Sequence, residues 1–369
     1  MDFIDRDELR GLLVWETSPC VSIFLPTHRS GIEAHQQDTI RFKNLIHQAE
    51  LALGAHGSKP PEVREILAPA RRLLDDNDFW ADQSDGLAVF LAPGYVRTYR
   101  IPISLEELVH VNARFHIKPL LPLLTLNTRF YVLALSQKKL RLLKCSRHTW
   151  REIELPGSPT SREEALAFDD IEKGMSPGGF DSERREALLR YLQSINRGVH
   201  DLLRDETAPL VLAGVEHLVA AYREVNDYAN LVDAAVIGNP DERNKHAKDL
   251  HAAAWSVIEP RLKRLREEAA ALYQQYKGQG STRVSADIEQ ILPAASSGRI
   301  DTLFVSRRRQ LWGHFDADAG AVELLDSQSP GAEDLLDLAA GQTLLNSGRV
   351  YASDEALPDE GLVAAVYRY

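Results

Sequence analysis

Short, almost uninterrupted apolar runs recur along this chain, and longer segments with helical periodicity lie between them. The runs are Val21-Ser-Ile-Phe-Leu, Gly86-Leu-Ala-Val-Phe-Leu-Ala, Phe130-Tyr-Val-Leu-Ala-Leu-Ser, Pro209-Leu-Val-Leu-Ala-Gly-Val and Ile300-Asp-Thr-Leu-Phe-Val. Each has the length of one strand and reads as a buried strand rather than one with a wet face. The helical segments include Asp38 to Leu53, with Ile40, Phe42, Leu45, Ile46, Ala49 and Leu53 on one face, and Pro61 to Leu74. Asp181 to Arg204 repeats the pattern with Leu188, Leu189, Leu192, Ile195, Val199 and Leu202. Strands alternating with amphipathic helices predict α/β layers throughout.

Three domains are expected: 1–126, 127–262 and 263–369. In the first, strands follow at Tyr95–Ile101 and Leu108–Val111, and Pro119 and Pro122 mark a linker. In the second, Leu140–Cys145 and Trp150–Leu155 continue a sheet begun at Phe130, and Leu231–Ile237 adds a strand after a helix at His217–Val225. Asp241 to Lys277 keeps a helical pattern, interrupted at Pro260, and links two domains. The third block predicts a helix over Ile288–Ala295, a strand pair at Gln310–Phe315 and Ala321–Leu325, a helix over Gly331–Asn346 and a strand at Leu362–Tyr367.

The net charge of −11 over 369 residues argues against a general nucleic-acid coat. The average hides an asymmetry. Leu108 to Arg151 contains no Asp or Glu but nine cations: Arg114, Lys118, Arg129, Lys138, Lys139, Arg141, Lys144, Arg147 and Arg151. Glu152, Glu154, Glu163, Glu164, Asp169, Asp170 and Glu172 follow at once. Either the stretch is a solvated face balanced by neighbouring acids, or it is a local patch that faces phosphate. The acidic start carries no signal-peptide pattern, and the densest apolar stretch, Pro119 to Leu126, is far shorter than the ~18 residues of a membrane span. With only Cys20 and Cys145, the expectation is a cytoplasmic protein without a zinc-ligand set.

Little catalytic chemistry is visible. There is no phosphate-binding or dinucleotide-binding glycine motif and no serine-nucleophile elbow. His116, His148, His200, His217, His246, His251 and His314 are scattered, and no cofactor or metal is implied. The feature that stands out is Ser176-Pro177-Gly178-Gly179-Phe180, where a long polar segment ends in two glycines at the start of the helix from Asp181. Adjacent glycines let backbone approach a partner closely. Arg184, Arg185 and Arg190 follow on that helix, and Arg307, Arg308 and Arg309 form a second basic turn.

The chain resembles the bacterial branch of the archaeo-eukaryotic release factor family, related to Pelota-type ribosome rescue factors. The resemblance is carried by Val21-Ser-Ile-Phe-Leu-Pro-Thr-His-Arg, Ser84-Asp-Gly-Leu-Ala-Val-Phe, Arg114-Phe-His-Ile-Lys-Pro-Leu-Leu, Phe130-Tyr-Val-Leu-Ala-Leu-Ser-Gln, Leu210-Val-Leu-Ala-Gly-Val and Ser297-Gly-Arg-Ile-Asp-Thr-Leu-Phe-Val. It implies a divergent N-terminal α/β domain, a middle domain of RNase H-like fold, and a C-terminal α/β domain like kink-turn-binding ribosomal proteins. In such release factors a Gly-Gly-Gln loop precedes a long helix of the middle domain, and its Gln helps position water at the peptidyl-tRNA ester. Gly178 and Gly179 fall where that motif would fall, and Phe180 stands in place of the Gln. A Phe side chain has neither donor nor acceptor with which to orient water. The codon-reading Asn-Ile-Lys-Ser sequence is also missing.

The resemblance therefore implies a ribosome-binding factor of rescue or hibernation type, without stop-codon decoding or Gln-dependent hydrolysis. Its partners would be the ribosome, rRNA or tRNA and a translational GTPase. Two alternatives stay open: a peptidyl-tRNA hydrolase with a degenerate loop, and a non-ribosomal RNA-binding protein. The candidate functional loop is Gly178, Gly179 and Phe180. The candidate RNA contacts are Lys138, Lys139, Arg141, Lys144, Arg147, Arg184, Arg185, Arg307, Arg308 and Arg309.

Overall fold

A computed structural model describes the chain except residues 1–3, 5, 16, 126–128, 137–139, 156–180, 239–246, 330 and 354–356. The chain divides into two compact units, one built from Met1–Thr125 together with Arg266–Tyr369 and the other from Leu126–Leu265. It is an α/β protein with several sheets, as the alternating pattern predicts.

The first unit begins with α1 (Arg6–Leu13), β1 (Cys20–Pro26), α2 (Ile32–Ala55), α3 (Pro60–Leu74), α4 (Asn77–Ala81), β2 (Gly86–Ala92), β3 (Tyr95–Ile101) and β4 (Leu108–Asn112). A 3-10 turn at Lys118–Leu120 leads into α5 (Leu121–Thr125). The strands form an antiparallel sheet in the order β3-β2-β1-β4. Both faces of β1 are covered. Val21, Ile23 and Leu25 meet α2 and α3, while Cys20 and Phe24 face a second core. Ser22, the one polar residue in that strand's centre, uses its hydroxyl oxygen to accept the backbone N–H of His116 at 3.0 Å.

The second unit contains β5 (Phe130–Leu135), β6 (Arg141–Cys145), β7 (Trp150–Ile153), α6 (Asp181–Leu203), β8 (Leu210–Gly214), α7 (Glu216–Val225) and β9 (Val236–Ile237). Their sheet runs β7-β6-β5-β8-β9, with β5, β8 and β9 parallel and β6 and β7 antiparallel to their neighbours. One face buries Leu133, Leu142 and Leu212 against Leu192, Ile195 and Val199 of α6. The other buries Phe130, Val132 and Val211 against α8 (Ala247–Gly278). The strand expected over Leu231–Ile237 shrinks to β9 plus one bridge at Leu231, because only those residues meet β8 in register.

The chain then forms β10 (Val284–Ser285), α9 (Ile288–Ser296), β11 (Ile300–Ser306), β12 (Trp312–Asp316), β13 (Ala321–Leu324), β14 (Glu333–Asp334), α10 (Leu335–Leu345), β15 (Arg349–Ser353) and β16 (Val363–Tyr367). These make a mixed sheet, β10-β16-β11-β15, and a small antiparallel one, β13-β12-β14. Pro260 does not interrupt α8. It lies at an exposed position, where water can satisfy the carbonyl that loses its partner. The later half of α8 places Ala269 and Tyr273 against Phe304, Ala364 and Val366.

The segment around Pro119 and Pro122 is not an exposed linker. Ile117, Leu120 and Leu121 are fully buried in one core with Phe24, Phe90 and Phe115 on one side and Ile291, Leu303 and Leu335 on the other. Lys118, only 1% exposed, forms a buried ion pair with Asp334, and its ammonium also donates to the Arg309 carbonyl at 2.6 Å. The same Asp334 is the N-cap of α10. Its side chain accepts from Leu336 N and from Leu311 N at 3.2 Å each. This is why α10 starts at Leu335 rather than at Gly331. Asp337, one turn on, accepts the backbone N–H groups of Ile117 and Lys118.

Removing one partner of a buried, hydrogen-bonded pair leaves the other charge without compensation. Lys118→Ala should cost about 3–5 kcal/mol in the chemical unfolding of this unit. Hydrogen exchange of α10 amides is the check, and a loss of less than about 1 kcal/mol would count against a stitching role for the pair.

Candidate functional site

Gly178, Gly179 and Phe180 lie outside the described residues, as do Lys138 and Lys139. What is described is the helix that follows the glycines. The apolar stripe of α6 buries Leu192, Ile195, Val199 and Leu203, and Leu188 is half-buried beside it. Arg190 is exposed on the opposite side, while Arg185, seven residues before Leu192, is exposed beyond the end of the stripe, its guanidinium 2.9 and 3.0 Å from the two carboxylate oxygens of Glu224 on α7. Arg184 belongs to the first turn of α6.

Several cations of the acid-free stretch pair with acids outside it. Arg114 lies 3.7 Å from Glu333, Lys118 is paired with Asp334, Arg129 with Glu206, and Arg141 with Glu152 at 3.3 Å. Lys144 is half-buried on β6, directly opposite Arg151 of β7. Arg147 sits at the β6–β7 turn, with its guanidinium 5.6 Å from the centre of the Trp255 ring on α8. In the other unit Arg308 lies 3.7 Å from Glu106, the carbonyl of Arg309 accepts from Lys118, and the N–H of Arg307 donates to Ser353 O at 3.1 Å. The described basic candidates of the middle unit divide between the β6–β7 hairpin and the start of α6.

Residues 129–299 match the family model of the Bacterial archaeo-eukaryotic release factor family 3. The matched span takes in every described element of the second unit, the Gly178–Phe180 segment, and the continuation through α9; it stops short of Arg307–Arg309. Among solved structures, the archaeal translation termination factor aRF1 is 14% identical over 99% of each chain, with a TM-score of 0.26. Archaeal Pelota, from a model of ribosome-bound Pelota and ABCE1, is 13% identical over 75% of this chain and 73% of its own, with a TM-score of 0.38. Dom34 of S. cerevisiae is 10% identical over 77% of this chain and 73% of its own, with a TM-score of 0.33. No curated protein matches the chain.

Two of the segments that carry the release-factor resemblance meet in space. Thr27 donates from its hydroxyl to Ser84 O at 2.8 Å, and Arg29 makes two 2.7 Å bonds to Asp85. Beside them the buried Asp38 accepts from the backbone and the ring of His28, at 2.8 and 2.9 Å, and from Arg41 at 3.1 Å. Each cation or donor here serves to hold a turn after β1. Among the described residues no group of His, Cys, Asp and Glu could hold a metal ion. Cys20 and Cys145 are both buried and unpaired; burial pushes the Cys20 thiol up to about 12 and raises that of Cys145 as well, so neither is a ready nucleophile.

No motif groups His110 with His116, yet their rings lie 4.9 Å apart, and His110 stacks on Trp312 at 5.9 Å. Burial first, and the neighbouring His116 second, lower His110 from its usual 6.5 to about 3. Burial raises Asp337, but the charge and hydrogen bond of His116, with Lys118 and the Ile117 N–H, outweigh it, so its carboxyl stays below the ordinary range. The unfolded chain takes up a proton at His110 that the folded chain resists. Stability should therefore fall as pH drops from 6.5 toward about 3. Asp337 adds to the loss only below its ordinary 3.8. His110→Phe, which keeps a ring against Trp312, should flatten the slope of melting temperature against pH above pH 4 (roughly the carboxylate limit). An unchanged slope would show that His110 is not held neutral by the fold.

Proposed function

We propose that this chain is a ribosome-binding translation factor of release- or rescue-factor type. The observation that carries the reading is the family match over residues 129–299, which covers the compact unit Leu126–Leu265 from residue 129 onward and includes the Gly178-Gly179-Phe180 segment. In this reading the chain keeps three domains, 1–126, 127–262 and 263–369, the middle one RNase H-like. It works in the cytoplasm on the ribosome, with rRNA or tRNA and a translational GTPase as partners, during rescue or hibernation. Phe180 argues against ester hydrolysis because it offers water no hydrogen bond. Stop-codon decoding is likewise outside the proposal, since the codon-reading motif is missing from the sequence.

The chain should co-sediment with ribosomes in at least one of growing or starved cells. It should release labelled peptide from loaded ribosomes no faster than buffer does. Absence from ribosomes in both conditions would overturn the reading. Release that disappears in Gly179→Ala would instead assign a hydrolase built on this loop.

A further inference from the structure

We propose that the β6–β7 hairpin of the middle unit is a stacking platform for an unpaired base of single-stranded RNA. The proposal deepens the translation-factor reading and rests on its premise that the partner is RNA.

The hairpin is built to hold its tip still. Ser146 and Thr149 close the turn, with Ser146 N donating to Thr149 O at 2.8 Å and Thr149 N donating to the Ser146 hydroxyl oxygen at 3.1 Å. The buried His251 of α8 donates from Nε2 to the Ser146 carbonyl at 2.7 Å. Its ring also stacks on Phe130 of β5 at 6.2 Å. The turn is thus tied to both the sheet and the helix beneath it, so little ordering remains to oppose binding.

What this turn displays is aromatic and cationic. Trp150 is 40% exposed, a large apolar side chain left in water on an edge strand. In register it lies opposite Cys145, which is buried against α8, so it belongs to the face that α8 covers, at the rim of that cover. Trp255 of α8 is half-buried on the same side, with Arg147 over its ring. His148 is exposed at the turn before Trp150, while Arg151, opposite Lys144 in register, belongs to the other face of the sheet. From Leu140 to Arg151 there are four Lys or Arg and no acid, and the first acid beyond, Glu152, is engaged by Arg141. A base has a π-face for Trp150, and its phosphate suits the Arg147 guanidinium on the same side; a partner of negative charge alone would have no use for the indole.

The test uses the full chain and a short fluorescent oligouridylate. The parent should bind it, more weakly as salt rises. Trp150→Ala should weaken binding roughly 5- to 150-fold, and Trp150→Phe should restore most of it. Arg147→Gln should weaken binding and reduce the salt dependence. Circular dichroism melts of each variant guard against unfolding, and Trp150→Phe keeps the test valid if the alanine variant melts early. Equal binding by parent and Trp150→Ala overturns the proposal, as does binding of polyglutamate but not of oligouridylate. Ribosome pelleting of the same variants separates the two readings. Pelleting with Trp150-independent RNA binding removes the hairpin and leaves the translation factor. Trp150-dependent RNA binding without pelleting does the reverse.

Discussion

The first unit depends on one buried charge pair. Lys118 follows the last strand of the N-terminal sheet, and Asp334 opens the helix α10 some two hundred residues later. A lysine ammonium in an apolar core is expensive unless it is paired and its remaining protons are taken up. Here the Asp334 carboxylate and the Arg309 carbonyl take them. The carboxylate in turn is fixed by the N–H groups of Leu311 and Leu336. Asp337, Asn112 and Ser22 extend the same logic, each satisfying backbone groups of a segment distant in sequence. Apolar contacts supply the bulk of the burial, but they are not directional. The charge pair and its hydrogen bonds fix how residues 1–125 and 266–369 register within one unit.

Two different kinds of information were present in the sequence. Apolar runs located β1, β2, β5, β8 and β11, because a strand buried on both faces has no polar alternation to dilute the signal. Helical stripes located α2, α3 and α6 for the same reason of periodicity. The errors fall where a single contact overrides a local preference. Pro119 and Pro122 look like a linker until Lys118 anchors them beneath a core. Gly331 to Asp334 look helical until Asp334 caps the helix after them. Pro260 looks like a break, yet its missing hydrogen bond falls on the wet side of α8.

The candidate surface was only partly legible. The acid-free run from Leu108 to Arg151 suggested a phosphate-facing patch, but charge along a chain is not charge in space. Glu206, Glu333 and Asp334 arrive from other segments and neutralise Arg129, Arg114 and Lys118. Between such pairs the field falls off as that of a dipole, so those cations contribute little at a distance. At the hairpin tip the first acid further along the chain, Glu152, is engaged by Arg141, and the exposed indole adds a contact that does not depend on net charge. Trp150 went unnoticed as a site residue because a lone tryptophan in a strand reads as core; only the edge position of β7 leaves it exposed.

By itself the sequence determined the layered α/β class and the main strands and helices. These follow from local composition and periodicity, which need no knowledge of distant partners. Only the tertiary structure decided that the first and last segments share a core, and that His110 meets His116. It also decided which cations are held by acids distant in the chain. Pairing of that kind is set by burial and direction between residues far apart in the chain, and a one-dimensional pattern carries no record of either.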